Sequence, residues 1–134
     1  MRLEISRAAL EEIRAAAAAS PEREICGLLL GRGLRVDRVL ACANVADTPQ
    51  TAFEIDPRQL IAAHRVARAD GPQVIGHYHS HPGGLAEPSA RDAAAAHGGE
   101  IWIIAGREAV AAWHARPGGS FDPLDIFSPP DMTT

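Results

Sequence analysis

The chain has 134 residues, enough for one domain with a real core, and its 46% hydrophobic and 22% charged content is ordinary for a globular protein. The net charge is −4, and the 13 basic residues are all arginines, dispersed without a basic run, which argues against a nucleic-acid partner. No apolar run approaches membrane-spanning length and the N-terminus has no signal-peptide pattern, so the expectation is a cytoplasmic protein with no membrane partner and with Cys26 and Cys42 reduced.

Residues 1–5 alternate apolar with polar, which suits a short strand. Ser6 then caps a helix reaching about Ala19, with Leu10, Ile13 and Ala17 on one stripe, and Pro21 ends it. The apolar run Glu24 to Gly31 reads as a buried strand. Leu34 to Asn44 reads as its partner, with Gly31-Arg32-Gly33 as the hairpin turn, and Thr51 to Ile55 as a third strand. Asp56-Pro57 begins a second helix that runs to about Asp70, with Leu60, Ile61, His64 and Ala67 on one side.

Val74 to His81 is the next strand, ended by Pro82-Gly83-Gly84. A third helix starts at Ser89 and stops at Gly98-Gly99, and Glu100–Ala105 with Ala109–Ala115 forms a closing hairpin. Beyond Pro117, the residues Phe121, Leu124, Ile126 and Phe127 suit a short segment packed back on the domain. A domain over 1–127 and a disordered tail over 128–134 are expected. The sum is an α/β (α+β layered) fold, with a mixed, partly curled sheet of about six strands flanked by about three helices.

Between Gly76 and Asp92 stand His77, His79 and His81 at alternate positions, followed by a turn and a Ser-x-x-Asp. Alternate side chains on a strand share a face. Two imidazoles and a carboxylate, with a water in the fourth position, make an open zinc site. Spacing alone accepts His77 with His79 as readily as His79 with His81. Ser89 and Asp92 also fit a capping box, which needs no metal.

Other templates fail. The chain has no His-Glu-x-x-His helix, no deaminase Pro-Cys-x-x-Cys, no Gly-x-Ser-x-Gly elbow and no phosphate loop. Cys26, inside an apolar strand, reads as a buried inert thiol.

His79-Ser80-His81, seven residues, Ser89, two residues and Asp92 resemble the His-x-His-x(7)-Ser-x-x-Asp signature of the JAMM (MPN+) metalloisopeptidases. Glu24 to Gly31 resembles the strand that carries that family's upstream glutamate, and Phe53 to Pro57 and Gly76 also fall where the family places them. The resemblance spans roughly residues 1–115 and implies a JAMM/cytidine-deaminase-like fold. It also implies one Zn2+ per chain on His79, His81 and Asp92, with Glu24 as general acid/base and Ser89 as the catalytic motif serine, whose hydroxyl would stabilise the oxyanion. His77 matches no family ligand.

The implied reaction is cleavage of an amide or isopeptide bond after the C-terminal Gly-Gly of a ubiquitin-like or sulfur carrier protein. The chain is short and resembles the small prokaryotic members. That favours release of an amino acid, such as cysteine, from a sulfur-carrier adduct over a deubiquitinase-like action on lysine conjugates. The Ala46–Thr51 loop and the Gly83–Pro88 turn are the expected rims of the tail groove. The competing class is a non-catalytic binding module stabilised by zinc, against which Glu24 stands, since a structural site needs no base beside it. The sequence sets no oligomeric state.

Overall fold

A computed structural model of the chain describes residues 1–130. The elements are β1 (Arg2–Ile5), α1 (Arg7–Ala18), β2 (Cys26–Arg32), β3 (Arg35–Cys42), α2 (Pro57–Arg68), β4 (Gln73–Ser80), α3 (Ala90–Ala95), β5 (Ile101–Ala105), β6 (Val110–Ala115) and β7 (Phe121–Phe127). The strands pair in the order β1-β3-β2-β4-β5-β6-β7, and β1 also pairs with β7, so the mixed sheet closes on itself. No helix among the described residues is long and apolar enough to cross a membrane.

The sheet has seven strands, in keeping with the about six expected, but one expected segment is absent from it and another takes its place. Phe121–Phe127, expected only to pack back, is a full strand whose two edges pair with β6 and β1. Its Gly- and Pro-rich approach and Pro123 weaken the strand signal locally, and the closure that rewards it is non-local. Residues 128–130 carry no helix or strand, and the rest of the expected tail, 131–134, lies outside the described residues.

Thr51 to Ile55 is not a strand: a single bridge between Asn44 and Ile55 is its only sheet-like pairing. Two backbone groups of this segment are taken by a side chain. Asn44 donates to the carbonyl of Ala52 and accepts from the amide of Glu54. A side-chain amide of this kind competes with a ladder for the same groups.

Ser6 and Asp56 cap α1 and α2 as expected, accepting from the amides of Ala9 and Arg58. Leu10 and Ile13 of α1 are buried. The buried stripe of α2 is Ala63 and Ala67, with Leu60 at its edge, while Ile61 is 52% exposed and His64 is exposed. The helix turns its small residues to the sheet because Leu28 and Leu30 already fill the space beneath it. The hairpin turn is Gly33-Leu34, and Gly31 stays in β2 at an irregularity in the ladder. α3 ends at Ala95, three residues short of Gly98, where Ala96 turns extended.

The two faces of β4 have different neighbours. Tyr78 joins Ile13, Leu29 and Ile103 in the core beneath α1. It pairs with Gly27, where an added Cβ would run into the tyrosine ring, so only glycine leaves room for it. His77 and His79 lie on the opposite face, toward Phe53 and Trp102. The C-terminal end of this strand, the start of α3 and the residues preceding β2 meet at one edge of the sheet.

Candidate metal centre

β4 ends at Ser80, but the amide of His81 still donates to the Ala105 carbonyl of β5 at 2.9 Å, and the turn follows at Pro82. His81 lies closer to His79 than His77 does. The ring centroids of His79 and His81 are 4.8 Å apart, and those of His77 and His79 are 6.2 Å apart. Of the two pairings that spacing allows, His79 with His81 is the one whose rings lie closer together.

Asp92 completes the group from the first turn of α3. Its Oδ2 is 3.2 Å from His79 Nε2 and 3.1 Å from His81 Nε2, and the two Nε2 atoms are 3.0 Å apart. Donors 2.0–2.1 Å from a tetrahedral zinc would stand roughly 3.3 Å apart, so this triangle matches a three-donor face in size. Without a cation, a proton must mediate each of the three close approaches. One divalent ion satisfies all three at once.

The candidate donors are braced from outside. His81 Nδ1 lies 2.9 Å from the carbonyl of Leu85, which fixes the tautomer that leaves Nε2 free to coordinate. The Leu85 turn is itself held. The amide of Arg107 donates to Gly84, Trp113 Nε1 donates to the Ala86 carbonyl, and Gly106 has no Cβ to strike the backbone of Leu85 and Ala86. Phe53 stacks on His79 at 4.3 Å and 19°. His79 Nδ1 has no partner among the described residues.

Glu24 is buried and offers a carboxylate oxygen within 4.8 Å of the ligand nitrogens of both His79 and His81. Glu24 with the two histidines is therefore an alternative donor set. Asp92 fits the three-donor role better, because its oxygen already sits at coordination-edge distance from both rings. Glu24 then remains beside the centre. Burial pushes its carboxyl up to about 7, against the pull of His81. Burial also acts to raise Asp92, but hydrogen bonds from His79 and His81 hold it well below the usual carboxylate range. Burial pushes the His79 imidazole down. Burial acts the same way on His81, but its bonds to Asp92 and the Leu85 carbonyl outweigh that and leave it raised.

Ser89 and Asp92 form a full capping box: Asp92 N donates to Ser89 Oγ at 3.0 Å, and Ser89 N donates to Asp92 Oδ2 at 2.9 Å. The structural and metal-binding readings of this pair coincide, since the cap aims the carboxylate at the histidines. His77 stands apart. Its ring packs on Trp102 at 4.3 Å, its Nε2 is 3.8 Å from Glu100 Oε2, and burial, with His79 adding to it, drops its pKa to about 3. Cys26 is a buried free thiol opposite Cys42, pushed up to about 12 by burial and then by Cys42, which does not suit a nucleophile.

Two contributors carry no signal of their role in the sequence. Ser80, between the two histidines, accepts from the amide of Ile25, and Asn44 donates to the carbonyl of Glu24. Phe53 stands out as the lone aromatic of its segment and within the Phe53–Pro57 stretch that fits the family pattern.

Residues 6–117 match the model of a family described as prokaryotic homologs of the JAB domain (Prok-JAB). The chain belongs to the Prok-JAB family. A probable TtuB-protein conjugate cleaving protease of Thermus thermophilus is 37% identical over 111 residues, covering 83% of this chain and 74% of that protein. A desampylase of Haloferax volcanii is 31% identical over 120 residues, covering 87% and 86%. The solution structure of protein DSY2949 from Desulfitobacterium hafniense superposes with a TM-score of 0.83 at 27% identity, covering 96% of this chain and 94% of that one. The Prok-JAB chain is thus an enzyme of the JAMM metallopeptidase type.

Proposed function

We propose that this Prok-JAB protein is a zinc-dependent isopeptidase that cuts the bond between the C-terminal Gly-Gly of a ubiquitin-like protein and an amine. The observation that carries the reading is the triangle of His79, His81 and Asp92 donor atoms, 3.0–3.2 Å on its edges, with buried Glu24 beside it. The names of the two relatives, one a conjugate-cleaving protease and one a desampylase, support a protein conjugate as substrate.

His79, His81 and Asp92 would hold one zinc per chain, which supplies Lewis acidity to water and to the scissile carbonyl when bound. Glu24 takes a proton from the attacking water and delivers it to the leaving amine. A carboxyl poised near neutrality by burial can do both. Ser89 Oγ accepts from Asp92 N, which leaves its own hydrogen free to donate to the oxygen that becomes negative as the carbonyl is attacked. Val45 and Leu85, 43% and 68% exposed, stand beside the loop and on the turn taken as rims, and suit the apolar flank of a substrate tail. A non-catalytic module would have no use for a carboxylate buried at the centre's edge.

A narrower reading, release of an amino acid such as cysteine from a sulfur-carrier adduct, has one observation in its favour. A cavity of about 390 Å³ opens beside His81 and is lined by Arg14 and Arg107, whose guanidiniums suit a carboxylate on the leaving amine. The test is intact-mass analysis of two substrates, a sulfur carrier ending in Gly-Gly plus one amino acid and a lysine-linked ubiquitin-like conjugate. Cleavage of either after Gly-Gly is the expected result, and the faster substrate assigns the class. No mass change in either, with zinc bound, overturns the proposal.

A further inference from the structure

Asn44 lies two residues past the end of β3, and its side chain makes four hydrogen bonds. Nδ2 donates to the carbonyls of Glu24 at 2.9 Å and Ala52 at 3.0 Å. Oδ1 accepts from the amides of Ala46 at 3.0 Å and Glu54 at 3.1 Å. These bonds use the whole donor and acceptor capacity of a primary amide.

The four partners belong to three pieces of chain joined otherwise by a few isolated backbone bonds, such as Val45 N to the Glu54 carbonyl at 2.9 Å. Glu24 precedes β2, which begins at Cys26, and its amide donates to the Pro49 carbonyl of the neighbouring loop at 2.8 Å. Ala46 begins that loop. Ala52 and Glu54 flank Phe53, whose ring stacks on His79. Asn44 thus ties the residue carrying the base to the wall that packs against a metal ligand.

The geometry points to Asn44 as a positioning residue that sets Glu24 and the Phe53 wall relative to His79 and His81. Its chemistry is specific. An ionised aspartate would bring oxygens against the Glu24 and Ala52 carbonyls with no hydrogen to donate. A glutamine would carry the same amide one methylene too far. An apolar residue would leave two carbonyls and two amides without partners in a half-buried place. The inference rests on the reading of Glu24 as the general base, and its test separates the two.

The experiment compares wild type, Asn44→Asp, Glu24→Gln and the double variant, each loaded with zinc. Asn44→Asp keeps the acceptors for Ala46 and Glu54 and removes the latch on Glu24. We expect kcat to fall at least about tenfold with KM within about threefold, because misplacing a reacting group costs rate and not binding. Zinc content should stay at one per chain. In the Glu24→Gln background the same change should lower the residual rate by less than about threefold, since both substitutions disable one function. An unchanged kcat, an equal loss in both backgrounds, or loss of zinc overturns the inference.

A second readout needs no substrate. In zinc-loaded Asn44→Asp, the Glu24 carboxyl carbon should change its NMR shift, and the amides of Glu24 and Ile25 should exchange faster. If both stay as in wild type, Asn44 does not position Glu24. Should the wild type cleave no conjugate, the functional reading fails while this readout still decides the role of Asn44. If Asn44→Asp does not fold, Asn44→Ser carries the same measurements.

Discussion

Ser80 Oγ accepts a hydrogen bond from the amide of Ile25 at 2.9 Å, and Ser80 N donates to the Ile25 carbonyl at 3.1 Å. The residue between the two metal-site histidines therefore clasps the residue next to Glu24. These two hydrogen bonds tie the chain beside Glu24 to the strand that carries His79, across residues that are distant in sequence.

Removing the hydroxyl leaves the Ile25 amide without its acceptor, which costs about 1–3 kcal/mol when the group is buried. Ser80→Ala should lower Tm and reduce kcat roughly tenfold while zinc content holds. Ser80→Thr keeps the oxygen that accepts from Ile25 and should lose less of both. Thermal scans and steady-state kinetics on the two variants check this. Equal losses in both would mean the hydroxyl is not what matters.

Glu24 must be ionised to take a proton, and burial lifts its carboxyl to about 7. Activity should therefore rise with pH through an acid limb with its midpoint at or below 7, and Glu24→Gln should lose at least about a hundredfold in kcat. The stability effect has the opposite sign. A carboxyl raised in the folded state contributes stability below its unfolded pKa of 4.5, and that contribution is lost as pH climbs through about 7. In the metal-free protein, Glu24→Gln should raise Tm at pH 8 and change it little at pH 5. A lower Tm at pH 8 would contradict the burial argument.

His77 is neutral at physiological pH, with its Nδ1 buried and unpartnered among the described residues. Replacing it by an apolar side chain removes an unsatisfied polar atom, so His77→Leu should fold with Tm within a few degrees of wild type. Elemental analysis should still find one zinc per chain. Loss of the metal would place His77 in the ligand set.

Three donor atoms held 3.0–3.2 Å apart should bind a divalent ion to the folded state only. At a hundred times its Kd, such an ion stabilises by about 2.7 kcal/mol, a Tm change on the order of 10 °C for a chain of this size. Thermal scans with zinc and with a strong chelator should differ by that amount. Asp92→Ala should abolish the difference.

The sequence by itself determined the ingredients. The helix starts at Ser6, Asp56 and Ser89 were legible because caps are local. The buried strands were legible because Leu28 to Leu30 and Ile101 to Ile104 are continuous apolar runs. The count from His79 through Ser89 to Asp92 pointed to a metal chemistry, and Glu24 to a base, on the strength of a family signature. The tertiary structure decided what depends on partners far along the chain. β7 exists because β1 and β6 offer it two edges, and Thr51–Ile55 fails as a strand where Asn44 takes two of its backbone groups. The fold sets Asp92 of α3 against His79 and His81 and leaves His77 against Trp102. Ser80 and Asn44, which hold Glu24 in place, have no local pattern, since a hydrogen bond spanning 20 or 55 residues leaves no periodicity to read.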